Sequence, residues 1–218
     1  MKKQLTQFLL VLATGASVAS AQAYTSAASF LGAAGTPSYT ETFETMPALR
    51  FKDTAYGFLT KHGITYTGLA GVPFANVFVS SPGYTNYGVG IGPTTSSILT
   101  ANGDEDFLVS FLSPYYAVGF DVYYNGLGPA VSKFYSGAAL LGSISYDGPA
   151  VKGYAGWVST PSLLVSSVRF TSTRGGTRNT GIDNVSVVDV PTSTVPEPST
   201  LSLLAIGLAG VVTLRHRR

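Results

Sequence analysis

Between residues 39 and 188 apolar and polar positions alternate in short runs, each cut off within a few residues by glycine or proline, and helical spacing is nearly absent. That pattern predicts strands. Nine runs rich in Val, Phe, Tyr, Thr and Ser mark them: Tyr39–Glu44, Ile64–Thr67, Asn76–Ser80, Phe107–Leu112, Ala117–Tyr124, Val131–Tyr135, Ala139–Tyr146, Leu164–Thr171 and Ile182–Val188. Within the fifth, Phe120, Val122 and Tyr124 share one face and Asp121 and Tyr123 the other. Val168 and Phe170 alternate in the same way with Ser167, Arg169 and Thr171, the mark of an antiparallel strand buried on one side. Nine such strands predict an all-β fold, an antiparallel two-sheet β-sandwich with jelly-roll-like winding, over residues 38–190. Between the strands, Ser81–Ile98 reads as a long surface loop carrying Tyr84 and Tyr87, and Tyr24–Pro37 as a small-residue lead-in.

The two ends break the pattern. Lys2 and Lys3 precede an apolar run from Phe8 to Val18, and Ala21-Gln22-Ala23 forms an A-x-A site, so residues 1–23 read as a signal peptide cut after Ala23 by signal peptidase. At the other end, residues 191–194 read as a flexible or extended spacer before Val195-Pro196-Glu197-Pro198. The two prolines fix their own φ and push Val195 and Glu197 towards extended backbone, a shape that suits a protease cleft. From Ser199 to Leu214 the chain carries no charge. As a helix this segment is roughly 24 Å long against a hydrocarbon core of roughly 30 Å, so it spans if its flanks help. Arg215, Arg217 and Arg218 supply that help by snorkelling, and they stay cytoplasmic by the positive-inside rule. An ordinary C-terminal anchor behind a proline-containing linker is the alternative.

Motif, apolar helix and basic end, in this order over residues 195–218, resemble the PEP-CTERM sorting signal of Gram-negative bacteria. The resemblance implies processing by an exosortase near the Pro-Glu-Pro motif, transient anchoring in the inner membrane, and an association with exopolysaccharide and biofilm at the cell surface or in the extracellular matrix.

These ends also account for the charge. The chain holds 13 Lys and Arg against 11 Asp and Glu, but residues 24–190 hold 8 against 10, a net −2. The alkaline balance therefore gives no support to nucleic-acid binding, and no basic cluster lies in the body. With no cysteine, disulfides, thiolate zinc sites and a cysteine nucleophile are excluded. The body is long enough to bury a core without such staples.

Candidate chemistry is sparse. Asp183 has the parity of Val185 and Val187, so if those valines face the core the carboxylate points inward and needs a partner or a cation. A last strand reading Ile-Asp-Asn-Val-Ser-Val, beside a first strand containing Thr42-Phe43-Glu44, is similar to carbohydrate-binding β-sandwich modules. That resemblance implies adjacent terminal strands and a structural calcium held by Asp183 with Glu44, or Glu41, and backbone carbonyls. The simpler alternative has Asp183 accepting from backbone amides at a turn. Asn102-Gly103-Asp104-Glu105-Asp106 lacks EF-hand spacing and reads as a solvated turn. Tyr115, Tyr116, Tyr123, Tyr124 and Trp157 could stack on sugar rings where exposed, although alternation buries about half of them.

A serine–histidine arrangement in the body would depend on His62 alone. The expectation is a non-enzymatic exported protein associated with exopolysaccharide. A lectin-like module with a defined sugar site is the alternative, and a polysaccharide hydrolase ranks third.

Overall fold

A computed structural model describes residues 20–46, 58–69, 76–82, 95–102, 106–124, 129–148, 151–172 and 180–191. The chain folds as two antiparallel sheets. The first has the strand order β1 (Gln22–Tyr24), β11 (Val151–Val158), β8 (Ala117–Tyr124), β13 (Thr180–Val188), β6 (Ile98–Asn102), β5 (Asn76–Ser80), with β2 (Tyr39–Glu41) also paired to β13. The second runs β10 (Ala139–Tyr146), β9 (Ala130–Ser136), β12 (Val165–Ser172), β7 (Phe107–Tyr115), β4 (Ile64–Gly68), β3 (Phe58–Lys61).

Their facing sides interlock into one core. Val118, Phe120, Val122, Leu99, Ile182, Val185 and Val187 come from the first sheet, and Ile64, Tyr66, Val109, Phe134, Val168 and Phe170 from the second. The alternation read in β8 and β12 is the alternation that fills this core. All nine expected strands form, and β1, β3, β6 and β11 join them.

The lead-in is more ordered than expected. Residues Ala27–Ala34 form helix α1, started by Ser26, whose Oγ accepts from Ser29 N–H at 3.2 Å, and closed by Gly35 at φ 87°. So short a helix owes its stability to packing. Phe30 is fully buried against the outer side of the first sheet, where Gly119 and Gly156 leave room for its ring. A Cβ on Gly156 would lie 2.7 Å from Phe30 Cδ2.

The β3–β4 hairpin turns on His62 and Gly63, at φ 50° and 75°, between the paired Lys61 and Ile64. Two positive φ values at the centre of a two-residue loop match the twist of the strands they join. Tyr84, Tyr87 and residues 103–105 lie outside the described residues, as do the expected signal segment up to residue 19 and the C-terminal helix 199–214. Among the described residues no helix is long and apolar enough to cross a membrane.

Candidate functional site

Three places in the sandwich concentrate polar chemistry. The first surrounds Asp183. β13 pairs with β8 up to Asp183↔Asp121, slips, and resumes at Ser186↔Gly119. Asn184 takes φ 48° at the slip, a left-handed conformation that asparagine tolerates. The bulge restarts the alternation. Ile182, Val185 and Val187 all face the core, so Asp183 shares the outer side of the sheet with Asp121 instead of pointing inward. The inward orientation expected from parity is overturned because one extra residue shifts the period of two.

Asp183 is nonetheless buried, at 1% exposure. Its Oδ2 accepts from Ser96 Oγ at 2.6 Å and its Oδ1 from Asn184 N–H at 2.7 Å. Asn184 Nδ2 donates to Asp121 Oδ2 at 2.7 Å, and Lys152 Nζ meets the same oxygen at 2.7 Å. Ser97 donates from its N–H to Glu44 Oε1 at 2.9 Å and from its hydroxyl to Glu44 Oε2 at 3.1 Å. Consecutive serines thus hold Asp183 and Glu44 beside one another. Burial, and then the charges of Asp121 and Glu44, raise the Asp183 carboxyl above its ordinary pKa, although its hydrogen bonds oppose the rise. Among the described residues no group of three or more Asp, Glu, His or Cys is placed to hold a metal ion. The oxygens of Asp183, Glu44 and Ser96 are nevertheless of the kind a hard cation takes.

The second place is Glu41, the other carboxylate weighed for calcium. It is committed elsewhere. Tyr39 OH donates to Oε2 at 2.6 Å, Phe43 N–H to Oε1 at 2.8 Å and Lys61 Nζ to Oε1 at 3.0 Å, with Lys61 also reaching Thr45 Oγ1 at 2.7 Å. Burial pushes this carboxyl up, but the hydrogen bonds from Tyr39, Lys61 and Phe43 and the Lys61 charge outweigh it, and its pKa is lowered. The bond to Phe43 also holds that residue at φ 59°, which is why β2 stops at Glu41 instead of running to Glu44. Adjacency of the terminal strands does hold, through Val185↔Glu41, Ser186↔Thr40 and Val187↔Tyr39.

The third place was not singled out in sequence. The outer face of the second sheet has no described element packed over it. One cross-strand row reads Phe58, Thr67, Leu108, Arg169, Lys133, Ser143, and the next Thr60, Thr65, Ser110, Ser167, Tyr135, Leu140. Arg169 and Lys133 stand directly opposite each other. Arg169 reaches Asp106 at 3.3 Å, while Lys133 has no ion-pair partner among the described residues. Like charges in register cost stability unless something neutralises them. Polar alternation around Val168 and Phe170 was the available signal, but which strand lies beside β12 is not written in the local pattern.

The sugar-stacking candidates fare differently. Trp157 is 7% exposed and stacks on Phe134 inside the core, and Tyr116, Tyr123 and Tyr124 are buried. Trp157 therefore cannot present its ring to a glycan. His62 lies exposed at the hairpin turn, its ring 4.4 Å from that of Tyr39 and its Nδ1 3.9 Å from Glu41 Oε2.

Residues 194–218 match the PEP-CTERM protein-sorting motif. The motif implies export, transient anchoring in the membrane and processing by an exosortase. No curated protein matches the chain in sequence. Among solved structures it is similar to the K2 cleaved adhesin domain of Lys-gingipain, with TM-score 0.46 and 11% identity over 70% of this chain and 98% of that one. It is also similar to the CBM22-1 and GH10 modules of Clostridium thermocellum endo-1,4-beta-D-xylanase 10B complexed with xylohexaose, with TM-score 0.39 and 10% identity over 72% of this chain and 29% of that one. A mutant of CBM29-2, a family 29 carbohydrate-binding module complexed with cellulohexaose, gives TM-score 0.31 and 15% identity over 58% and 92%.

Proposed function

We propose that this is a non-enzymatic protein of the cell surface or extracellular matrix of a Gram-negative bacterium. Its leader is removed by signal peptidase, its tail is processed by an exosortase after brief residence in the inner membrane, and its jelly-roll-like body associates with exopolysaccharide in a biofilm. The sorting motif after β13 supports the first half of this reading. The register adds to it, because Gln22, Val158, Ala117 and Val188 form one row, so the chain enters β1 and leaves β13 at the same end of the sandwich. Both hydrophobic ends can therefore reach one membrane without crossing the domain.

The observation that carries the second half is the opposed pair Arg169 and Lys133 on a sheet face with no described element over it, lined with serine and threonine hydroxyls. Lys133, beside an Arg169 that is only partly met by Asp106 at 3.3 Å, fits a carboxylated polysaccharide, with charge-assisted hydrogen bonds to the acid groups and hydroxyls for the sugar. The test is retardation of the purified protein in gels containing alginate against gels containing a neutral glucan. Alginate is expected to retard it, and Lys133→Ala with Arg169→Ala to weaken that binding by about tenfold or more. Equal retardation by both polymers, unmoved by the double substitution, would overturn the assignment. A lectin-like module with a defined sugar site is the second reading, favoured by the half-buried Tyr135 beside Leu140 on the same face. For it, Tyr135→Ala would abolish binding to one glycan only.

Asp183 and Glu44 would hold a structural calcium in this reading. It is supported by their placement around Ser96 and Ser97 and by the burial, with the nearby charges of Asp121 and Glu44, that raises Asp183. A bound cation would tie β13 to the segments carrying Glu44 and Ser96.

A further inference from the structure

The leader proposed above can be cut at two places. Ala21-Gln22-Ala23 is one A-x-A site, and Ala19-Ser20-Ala21, two residues earlier, is another. Signal peptidase asks for small residues one and three positions before the cut, and both sites supply them. On local sequence they are equivalent.

The fold separates them. Gln22, Ala23 and Tyr24 are the whole of β1, paired with Val158, Trp157 and Gly156 at the outer edge of the first sheet. Tyr24 packs edge-on against the buried Phe30 at 6.3 Å and donates from its hydroxyl to Gln22 Oε1 at 3.3 Å. A cut after Ala23 would delete two of the three residues of β1, open the backbone of β11 and place a new ammonium on Tyr24, beside Phe30. A cut after Ala21 keeps the strand whole and puts the ammonium on Gln22, which is exposed. Unpaired strand edges invite pairing with other chains, a hazard for a protein that folds after export.

We infer that signal peptidase cleaves between Ala21 and Gln22, so that the mature chain begins at Gln22 and β1 is its first structure. The inference rests on the leader reading and moves the site two residues upstream of the one expected from sequence. It also gives the mature protein an N-terminal glutamine, whose amine can attack its own side-chain amide carbonyl, expel ammonia and close to pyroglutamate.

The test is N-terminal peptide mapping of the full chain recovered from its native cells, with two variants of the precursor. Ala19 counts only for the upstream site and Ala23 only for the downstream one. Ala23→Phe is therefore expected to leave the Gln22 terminus unchanged, and Ala19→Phe to abolish it. A native terminus at Gln22, open or lighter by one ammonia, supports the inference. A terminus at Tyr24 lost in Ala23→Phe overturns it while leaving the leader reading in place. Retention of Met1 overturns both.

Discussion

Gly142 lies in β10 with its backbone outside the left-handed region, so an alanine there is not strained by φ. What it meets is the ring of Trp157. A Cβ built on Gly142 falls well inside van der Waals contact of Trp157 Cη2 and Cζ3. The indole cannot slide away easily, because Phe134 is stacked on it at 5.7 Å and 24° and both rings belong to the core. Overpacking of this kind costs about 1–3 kcal/mol, and a rigid backed ring places Gly142→Ala in the upper part of that range, about 2–3 kcal/mol. For a chain of this size the melting temperature would fall by roughly 5–10 °C. Trp157 is the one tryptophan of the chain, so its fluorescence reports both the melt and any expulsion of the ring, seen as a red shift. Gly32→Ala is the matched control, since nothing lies within 4 Å of a Cβ at that position of α1. There the same substitution is expected to stabilise by about 0.5–1 kcal/mol. Phe134→Leu, which vacates space behind the indole, should relieve part of the Gly142→Ala loss, giving a double variant more stable than the sum of its parts. An unchanged melt and emission for Gly142→Ala would refute the packing argument for Trp157.

Two titrating sites give expectations of opposite sign. Glu41 has a folded pKa below its unfolded value, so its stabilisation is complete above the unfolded value and is lost as pH falls through the folded one. Glu41→Gln should cost about 2 kcal/mol at pH 7, because Lys61 loses its partner but is partly solvated, and much less at pH 3, as read from urea melts at the two pH values. Asp183 has a raised pKa, so with chelator present stability falls as pH rises through it, and Asp183→Asn should be neutral or stabilising there. With calcium at a hundred times its Kd the native protein should gain about 2.7 kcal/mol and the variant nothing. A melting temperature indifferent to calcium and to chelator would remove the cation from the account.

How much of this was legible depends on the range of the signal. Period-two alternation is local, and it located nine strands, the two faces of β8 and the buried side of β12. Helix α1 was missed because Ala27–Ala34 has too little apolar patterning to declare itself, and its one anchor, Phe30, acquires meaning only above Gly119 and Gly156. Asp183 was singled out and joined to Glu44, and the structure does bring the two together, yet its orientation was inverted by a bulge that no periodic rule contains. Glu41 stands beside Glu44 as an alternative calcium ligand in the sequence because the Lys61 ammonium that claims it comes from the next hairpin. Whether Trp157 is exposed or buried is not legible locally, because its cover, Phe134 on β9, belongs to the opposite sheet.

By itself the sequence determined the sorting signal, with the export it implies, and the class of fold. A sorting tail works as a linear string read by membrane and enzyme, and strand alternation is a property of consecutive residues. Only the tertiary structure decided which strands are neighbours, and with them the Arg169–Lys133 pair, the company of Asp183 and the use of Gln22 and Ala23 as a strand. Those features come from residues far apart in the chain, and their register is set by two sheets burying their apolar faces against each other, a constraint that acts on the whole domain at once.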